Sequence, residues 1–183
     1  MSALPMPRFE ETFDECEVGS VQAAERRRFL ERVGVTLEQA RCGGYRVALF
    51  LVGIDRPGND MGSLEPSAVV SLASRVGERL ARSAGEGAES ARLAHDRFAL
   101  LMPRMRSGAQ VREAAARMLG TMRYPFRASI GIALFPTDAV RPAALIACAA
   151  AALANARRAG RHSYSFYLPF LAATSAASSS PDL

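Results

Sequence analysis

Asp96 and Arg97 stand side by side at the tip of an apolar hairpin, and their chemistries oppose one another. A carboxylate is a hard oxygen ligand for a divalent cation, whereas a guanidinium beside it repels that cation. A second acid, Asp55, closes the apolar run 47–54. Two more arginines, Arg157 and Arg161, fall four apart near the end of an alanine-rich helical stretch, a spacing that can turn both to one side. Guanidinium groups bind phosphate well, often through two parallel bonds. His95 adjoins Asp96, but no Ser, Cys or paired acid is spaced with it as a triad, so it offers neither nucleophile nor general base. The candidates thus amount to isolated acids, where a metal site needs a cluster, and to arginines suited to an anion.

The elements that must position these groups follow from the pattern. Residues 18–42 carry apolar positions near helical spacing (Val21, Phe29, Val33, Leu37), with Arg26, Arg27 and Arg28 toward solvent. Gly43 and Gly44 stop that helix. The near-continuous apolar run 47–54 predicts a central strand covered on both faces. A loop bearing Pro57, Gly58 and Gly62 leads to a helix over 66–83, opened by Pro66. After a break at 85–89, residues 92–103 read as strand, turn, strand, closed by Pro103. A helix at 110–122, a strand at 126–135, a helix at 142–159 and a strand at 163–168 complete the series. After the first helix the order is β-α-β-β-α-β-α-β. It predicts an α+β fold of ferredoxin-like or palm type, a central antiparallel-mixed sheet flanked by helices. Residues 1–13 are expected to be a loosely held arm, 14–168 one domain, and 169–183 a disordered tail rich in Ala and Ser.

Composition narrows the function classes. A hydrophobic share of 49% and a charged share of 22% are globular values, and 183 residues suit one domain with its own core. The net charge of +5 is carried by arginine alone, since the chain has no lysine. Those arginines are dispersed and match no RNA- or DNA-binding motif, so nucleic acid is not the expected partner. No apolar stretch is long enough to span a bilayer. Pro5, Pro7, Glu10 and Glu11 stand where a signal peptide needs a basic and then an apolar run, so a cytoplasmic protein is expected. Cys16, Cys42 and Cys148 share no short spacing; idle thiols are expected, with neither disulfide framework nor zinc site.

Five segments, in order, resemble the GGDEF domain of diguanylate cyclases. Residues 92–103 follow the family hairpin R-x-G-G-D-E-F-A-x-L-x-P, with Ala94 and His95 at the two glycines, Asp96 at the first acid, Arg97 at the second and Phe98 retained. Residues 27–33 resemble the family's N-R-R-x-F-L helix, and 47–55 its first strand, which ends D-x-D in active members. Ala128-Ser129-Ile130-Gly131-Ile132-Ala133 matches S-I-G-I-A, followed by Pro136 and Asp138. Residues 149–162 align with A-D-x-A-L-Y-x-A-K-x-x-G-R-N. There Ala150 and Ala154 replace Asp and Tyr, leaving a smooth helix face suited to close packing, and His162 replaces the final Asn.

The resemblance implies where chemistry belongs and where it is altered. Joining two GTP molecules needs divalent metals held by clustered carboxylates. The family draws these from the first acid of D-x-D and from the hairpin acids. Here those positions hold Gly53 and, for the second hairpin acid, Arg97; Asp96 remains, and Asp55 matches the second acid of D-x-D. Pro57-Gly58-Asn59-Asp60 is two residues shorter than the family loop, with Asn59 at the guanine-reading position and Glu65-Pro66 at the following G-D. The product-inhibition motif R-x-x-D falls on Gly85-Glu86-Gly87-Ala88. Arg157 matches a phosphate-binding lysine and Arg161 an arginine.

The reading is therefore a degenerate, non-catalytic domain of cyclic-di-GMP signalling without cofactor or metal. It would act on another signalling protein such as a phosphodiesterase, a PilZ-type receptor, or an exopolysaccharide or motility component. The alternative is a receptor holding cyclic di-GMP or GTP through Asn59, Arg157 and Arg161 without turnover; a residual cyclase ranks last, and a homodimer fits any of these. Two bland readings stand beside them. Arg157 and Arg161 can simply complement the helix macrodipole, and Asp96-Arg97 can be a solvent-facing turn. A sharper expectation places the Arg97 guanidinium in the lost metal's position, neutralising Asp96 or Asp55.

Overall fold

The computed structural model describes residues 20–55, 66–85, 87–94, 96–122 and 127–168. Helix α1 (Ser20–Gly43) leads into β1 (Arg46–Asp55). Then come α2 (Pro66–Ala84), the hairpin β2 (Glu89–Ala94) and β3 (Arg97–Met105), and α3 (Gly108–Thr121). The series ends with β4 (Arg127–Phe135), α4 (Pro142–Arg158) and a short β5 (Tyr164–Phe166). The strands form one sheet in the order β2-β3-β1-β4-β5, antiparallel except between β4 and β5. This is the α+β, palm-like arrangement expected from the order of elements.

Strand β1 is central, and every residue of it except Arg46 is buried. Its side chains alternate between two cores. Ala48, Phe50, Val52 and Ile54 pack with Val76 and Leu80 of α2 and Val111 and Met118 of α3. Val47, Leu49 and Leu51 pack with Phe29 and Val33 of α1 and Leu145 and Leu153 of α4. By the same alternation Gly53 and Asp55 point to the α1/α4 side. The alanine-rich face of α4 packs on β4: Ala149, Ala152 and Ala156 are buried. A Cβ built on Gly131 would lie 2.8 Å from Leu153 Cα and nearer still to Ala149 O and Leu153 N. Only glycine lets the helix backbone settle so close to the strand.

Several boundaries differ from the sequence expectation, β2 starting earlier at Glu89 and β5 being shorter, and two more differ for a local reason. Helix α3 begins before Gln110, at Gly108, because Ser107 caps it and the Gln110 side chain reaches back to the residue before the cap. The Ser107 hydroxyl accepts from Gln110 N at 3.2 Å, and Gln110 Oε1 accepts from Arg106 N at 2.9 Å. Strand β3 continues past Pro103 to Met105 through a bulge. Ala48 pairs with Met102 but Arg46 with Met105, so β3 carries one extra residue, and Arg104 takes φ 59°. Among the described residues no helix is long and apolar enough to cross a membrane.

Candidate functional site at the end of the central strand

Asp55 ends β1 with only 5% of its surface exposed. A buried carboxylate is costly unless its oxygens find donors, and these do. Oδ2 accepts from the Ser129 hydroxyl at 2.7 Å and from the His162 backbone N–H at 3.1 Å. Oδ1 accepts from Arg157 Nε at 3.3 Å. Ser129 is itself fully buried and lies opposite Gly53 in the β1–β4 ladder.

Arg157 reaches this point from the last turn of α4, and its guanidinium does more than pair with Asp55. Nη2 donates to the Ile54 carbonyl at 3.4 Å and lies 3.8 Å from Asp96 Oδ2. One cation thus stands between two carboxylates contributed by β1 and by the hairpin. It also rests against Gly53: a Cβ built there would lie 2.9 Å from Arg157 Cζ and closer to Nη2. The space that an acidic side chain at position 53 would enter is occupied by arginine. That arginine is a flexible side chain and could swing aside, but doing so would strip the buried Asp55 of its cation.

The turn following α4 is shaped around the same carboxylate. Gly160 has φ 126°, and Arg161 and His162 adopt left-handed values of 59° and 46°. Two successive non-glycine residues in that region cost on the order of 1 kcal/mol each. The conformation delivers the His162 N–H to Asp55 while the His162 side chain stays exposed. Arg161 therefore lies past the helix, and helical spacing does not set its direction relative to Arg157.

At the hairpin tip the Asp96 carbonyl accepts from Ile54 N at 2.8 Å, which ties the turn to the end of β1. Ala94 pairs with Arg97, Arg97 lies opposite Gly53 on β1, and Phe98 is buried in the core beneath. His95 and Asn59 lie outside the described residues. The expectation that Arg97 neutralises Asp96 or Asp55 is corrected for Asp55. Arg97 is not among the partners of Asp55, and Arg157 takes that role. The reason is α4, which lies across the face to which Gly53 and Asp55 point and brings Arg157 over both. Sequence reasoning also passed over Ser129 and the His162 N–H. A serine inside an otherwise apolar strand was the signal for the first; a backbone donor in a strained turn leaves none.

A second titratable group lies behind α4. Burial raises the Asp138 carboxyl, opposed by the hydrogen bond it accepts from Leu134 N at 2.7 Å. Burial, and then the charge of Asp138, push the Cys148 thiol up to about 11. Burial raises Tyr167 as well. Cys148 is thus a protonated, packed thiol, consistent with an idle role.

With this geometry in view, comparison with known proteins gives the class. Residues 22–163 match the family model described as "Diguanylate cyclase, GGDEF domain". The chain belongs to the diguanylate cyclase GGDEF-domain family, found in cyclic-di-GMP signalling proteins. Among solved structures it is similar to the GGDEF domain of YfiN (TpbB) from Pseudomonas aeruginosa. The two share 27% identity at a TM-score of 0.74, over 78% of this chain and 95% of that one. The fold also matches SiaD of the same organism, solved with its activator SiaC, at 22% identity and TM-score 0.65, over 77% of this chain and 57% of SiaD. It matches the GGDEF domain of DgcB from Caulobacter crescentus, solved with c-di-GMP, at 20% identity and TM-score 0.62, over 78% and 90%. No curated protein sequence matches the chain.

A cyclase of this family implies divalent metal at the end of the first strand, and the residues present do not fit one. A hard cation needs several oxygens at roughly 2.0–2.6 Å. Position 53 supplies none, both Asp55 oxygens already accept hydrogen bonds, and a guanidinium stands between Asp55 and Asp96. Among the described residues no group of three or more His, Cys, Asp or Glu is placed to hold a metal.

Proposed function

We propose that this chain is a degenerate GGDEF domain that performs no cyclisation and works in the cytoplasm as an interaction module of cyclic-di-GMP signalling. The domain would extend over 14–168, with the arm and tail outside it. One observation carries the reading: the Arg157 guanidinium fills the space beside Gly53 and holds Asp55 and Asp96. A monovalent, non-transferable cation there supplies charge balance without the open coordination positions that triphosphate chemistry needs. The fold around it is kept, with a packed core on both sides of β1. A maintained scaffold with an altered site fits a protein that is read by another protein. SiaD, a fold relative solved with its activator SiaC, shows that such domains occur in proteins that engage protein partners.

The receptor reading, in which Arg157, Arg161 and Asn59 hold cyclic di-GMP or GTP without turnover, is favoured only by the exposure of Arg161 beside the strained turn. It requires Arg157 to leave Asp55, and for that reason ranks second. Calorimetry separates the two. Titrating GTP with Mg²⁺, and cyclic di-GMP alone, into the protein is expected to give no binding heat up to about 1 mM. Saturable heat with cyclic di-GMP moves the function to a receptor. Saturable, Mg²⁺-dependent heat with GTP removes the proposal.

A further inference from the structure

At the opposite end of β1 the charge pattern is reversed. Arg46, Arg104 and Arg106 line one cleft of about 430 Å³ with Gly43, Gly44, Tyr45 and Met105, and no acid is among its lining residues. Among the described residues none of these three arginines forms a salt bridge, whereas Arg32, Arg41, Arg117 and Arg157 each do. The α1 C-terminus also abuts the cleft, but its partial charge of roughly −0.5 is small against three guanidinium groups. Strand length puts this cleft about 30 Å from Asp55 along the sheet, so it is separate from the family's reaction site.

The backbone is committed to the arrangement. Arg104 lies in the β3 bulge, at φ 59°, where glycine would sit without strain. A non-glycine residue held in that region costs on the order of 1 kcal/mol, and such strain concentrates where a side chain must be aimed. The aim is visible: Arg104 Cζ lies 4.9 Å from the centroid of the Tyr45 ring. A guanidinium held over a ring is positioned without using up its N–H donors. Arg106 is likewise fixed at its backbone, where its N–H donates to Gln110 Oε1.

We infer that the cleft formed by Arg46, Arg104 and Arg106 is an anion site for a diphosphate group. Guanidinium pairs with phosphate oxygens bidentately, and three of them balance the charge of a diphosphate where one phosphate would leave a surplus. The cleft lies within the size range of small-ligand sites, in keeping with a small phosphorylated molecule. The same diphosphate chemistry could arrive free in solution or on a lipid headgroup.

The test uses the full chain and the variant Arg104→Gly. Glycine suits φ 59°, so this variant is expected to melt at or above the wild-type temperature, which keeps folding out of the result. The probes are sodium pyrophosphate at 0.15 M salt, with sulfate at matched ionic strength as the control, and vesicles carrying a diphosphate-headgroup lipid in phosphatidylcholine. The wild type is expected to bind pyrophosphate more tightly than sulfate, and Arg104→Gly to bind it at least tenfold more weakly; Arg46→Gln is expected to follow. Sedimentation with the vesicles that Arg104→Gly abolishes, without binding of free pyrophosphate, supports the site with a lipid source. Equal binding by wild type and Arg104→Gly, equal response to sulfate, or binding of neither probe overturns the inference.

Discussion

The two ends of β1 handle charge in opposite ways. At the Asp55 end, a buried carboxylate, a second acid and one arginine are closed on each other by Ser129, the Ile54 carbonyl and a strained turn. At the Arg46 end, three arginines converge on a cleft with no acid in its lining. The family would place its chemistry at the first end, and that end is the one satisfied from within. A charge whose partners are all internal contributes to structure and is costly to recruit for a ligand, because recruitment first breaks the existing pair. A charge held in place without an acid has no such cost. On the proposed reading, Asp55 and Arg157 serve the scaffold and the far cleft is the place for a ligand.

The packing beneath this contrast gives the largest expected effect. Gly131→Ala drives a methyl group into the backbone of α4, the helix that carries Arg157. It is expected to cost about 3 kcal/mol or more by chemical denaturation. A loss under about 1 kcal/mol would mean that α4 is not seated on β4 as described, and the Arg157 geometry would fall with it. Next comes Arg157→Ala, which leaves Asp55 buried without its cation. Breaking a buried pair costs roughly 3–5 kcal/mol, and because the Arg157 side chain is 32% exposed the expected loss is nearer to about 2 kcal/mol. Arg97→Ala, at the hairpin tip, is expected to cost less than Arg157→Ala; the reverse order would restore the role first expected of Arg97.

The double variant Gly53→Asp with Arg157→Ala sharpens the comparison by exchanging the guanidinium for a carboxylate at the same place. It is expected to bind Mn²⁺ at least tenfold more tightly than the wild type, read by electron paramagnetic resonance. No gain would mean that more than the guanidinium bars a metal there.

Much of this was legible in the residues. The apolar run 47–54 announced a strand covered on both faces, and the smooth alanine face of α4 announced close packing, because both depend on short-range pattern. The cap at Ser107 was a signal present in the residues, but the helix was expected only from Gln110, and its earlier start came from the structure. The identity of the cation on Asp55 was not legible. Arg97 and Arg157 were both candidates by charge, and only the crossing of α4 over Gly53 separates a residue 42 positions from Asp55 in sequence from one 102 positions away. The bulge at Arg104 was hidden as well, because Pro103 suggested a strand end where the strand in fact continues one residue out of register.

The smallest expected effect concerns Cys148. Its thiol pKa is raised from 9.0 to about 11, chiefly by burial, so the folded state holds that proton more tightly than the unfolded chain does. Its contribution to stability is fully present below about pH 9 and is lost as pH rises toward about 11. In a Cys16→Ser, Cys42→Ser background, a thiol reagent at pH 8 is expected to leave the folded protein unlabelled and to label it in denaturant. Rapid labelling without denaturant would show that α4 is loosely packed.

The central claim is that arginine has taken the place of metal at the end of β1. Its most direct measurement is incubation of the purified chain with labelled GTP and Mn²⁺, with cyclic di-GMP read by chromatography. The account predicts no product over a protein-free control; cyclic di-GMP formed in proportion to the protein would contradict it.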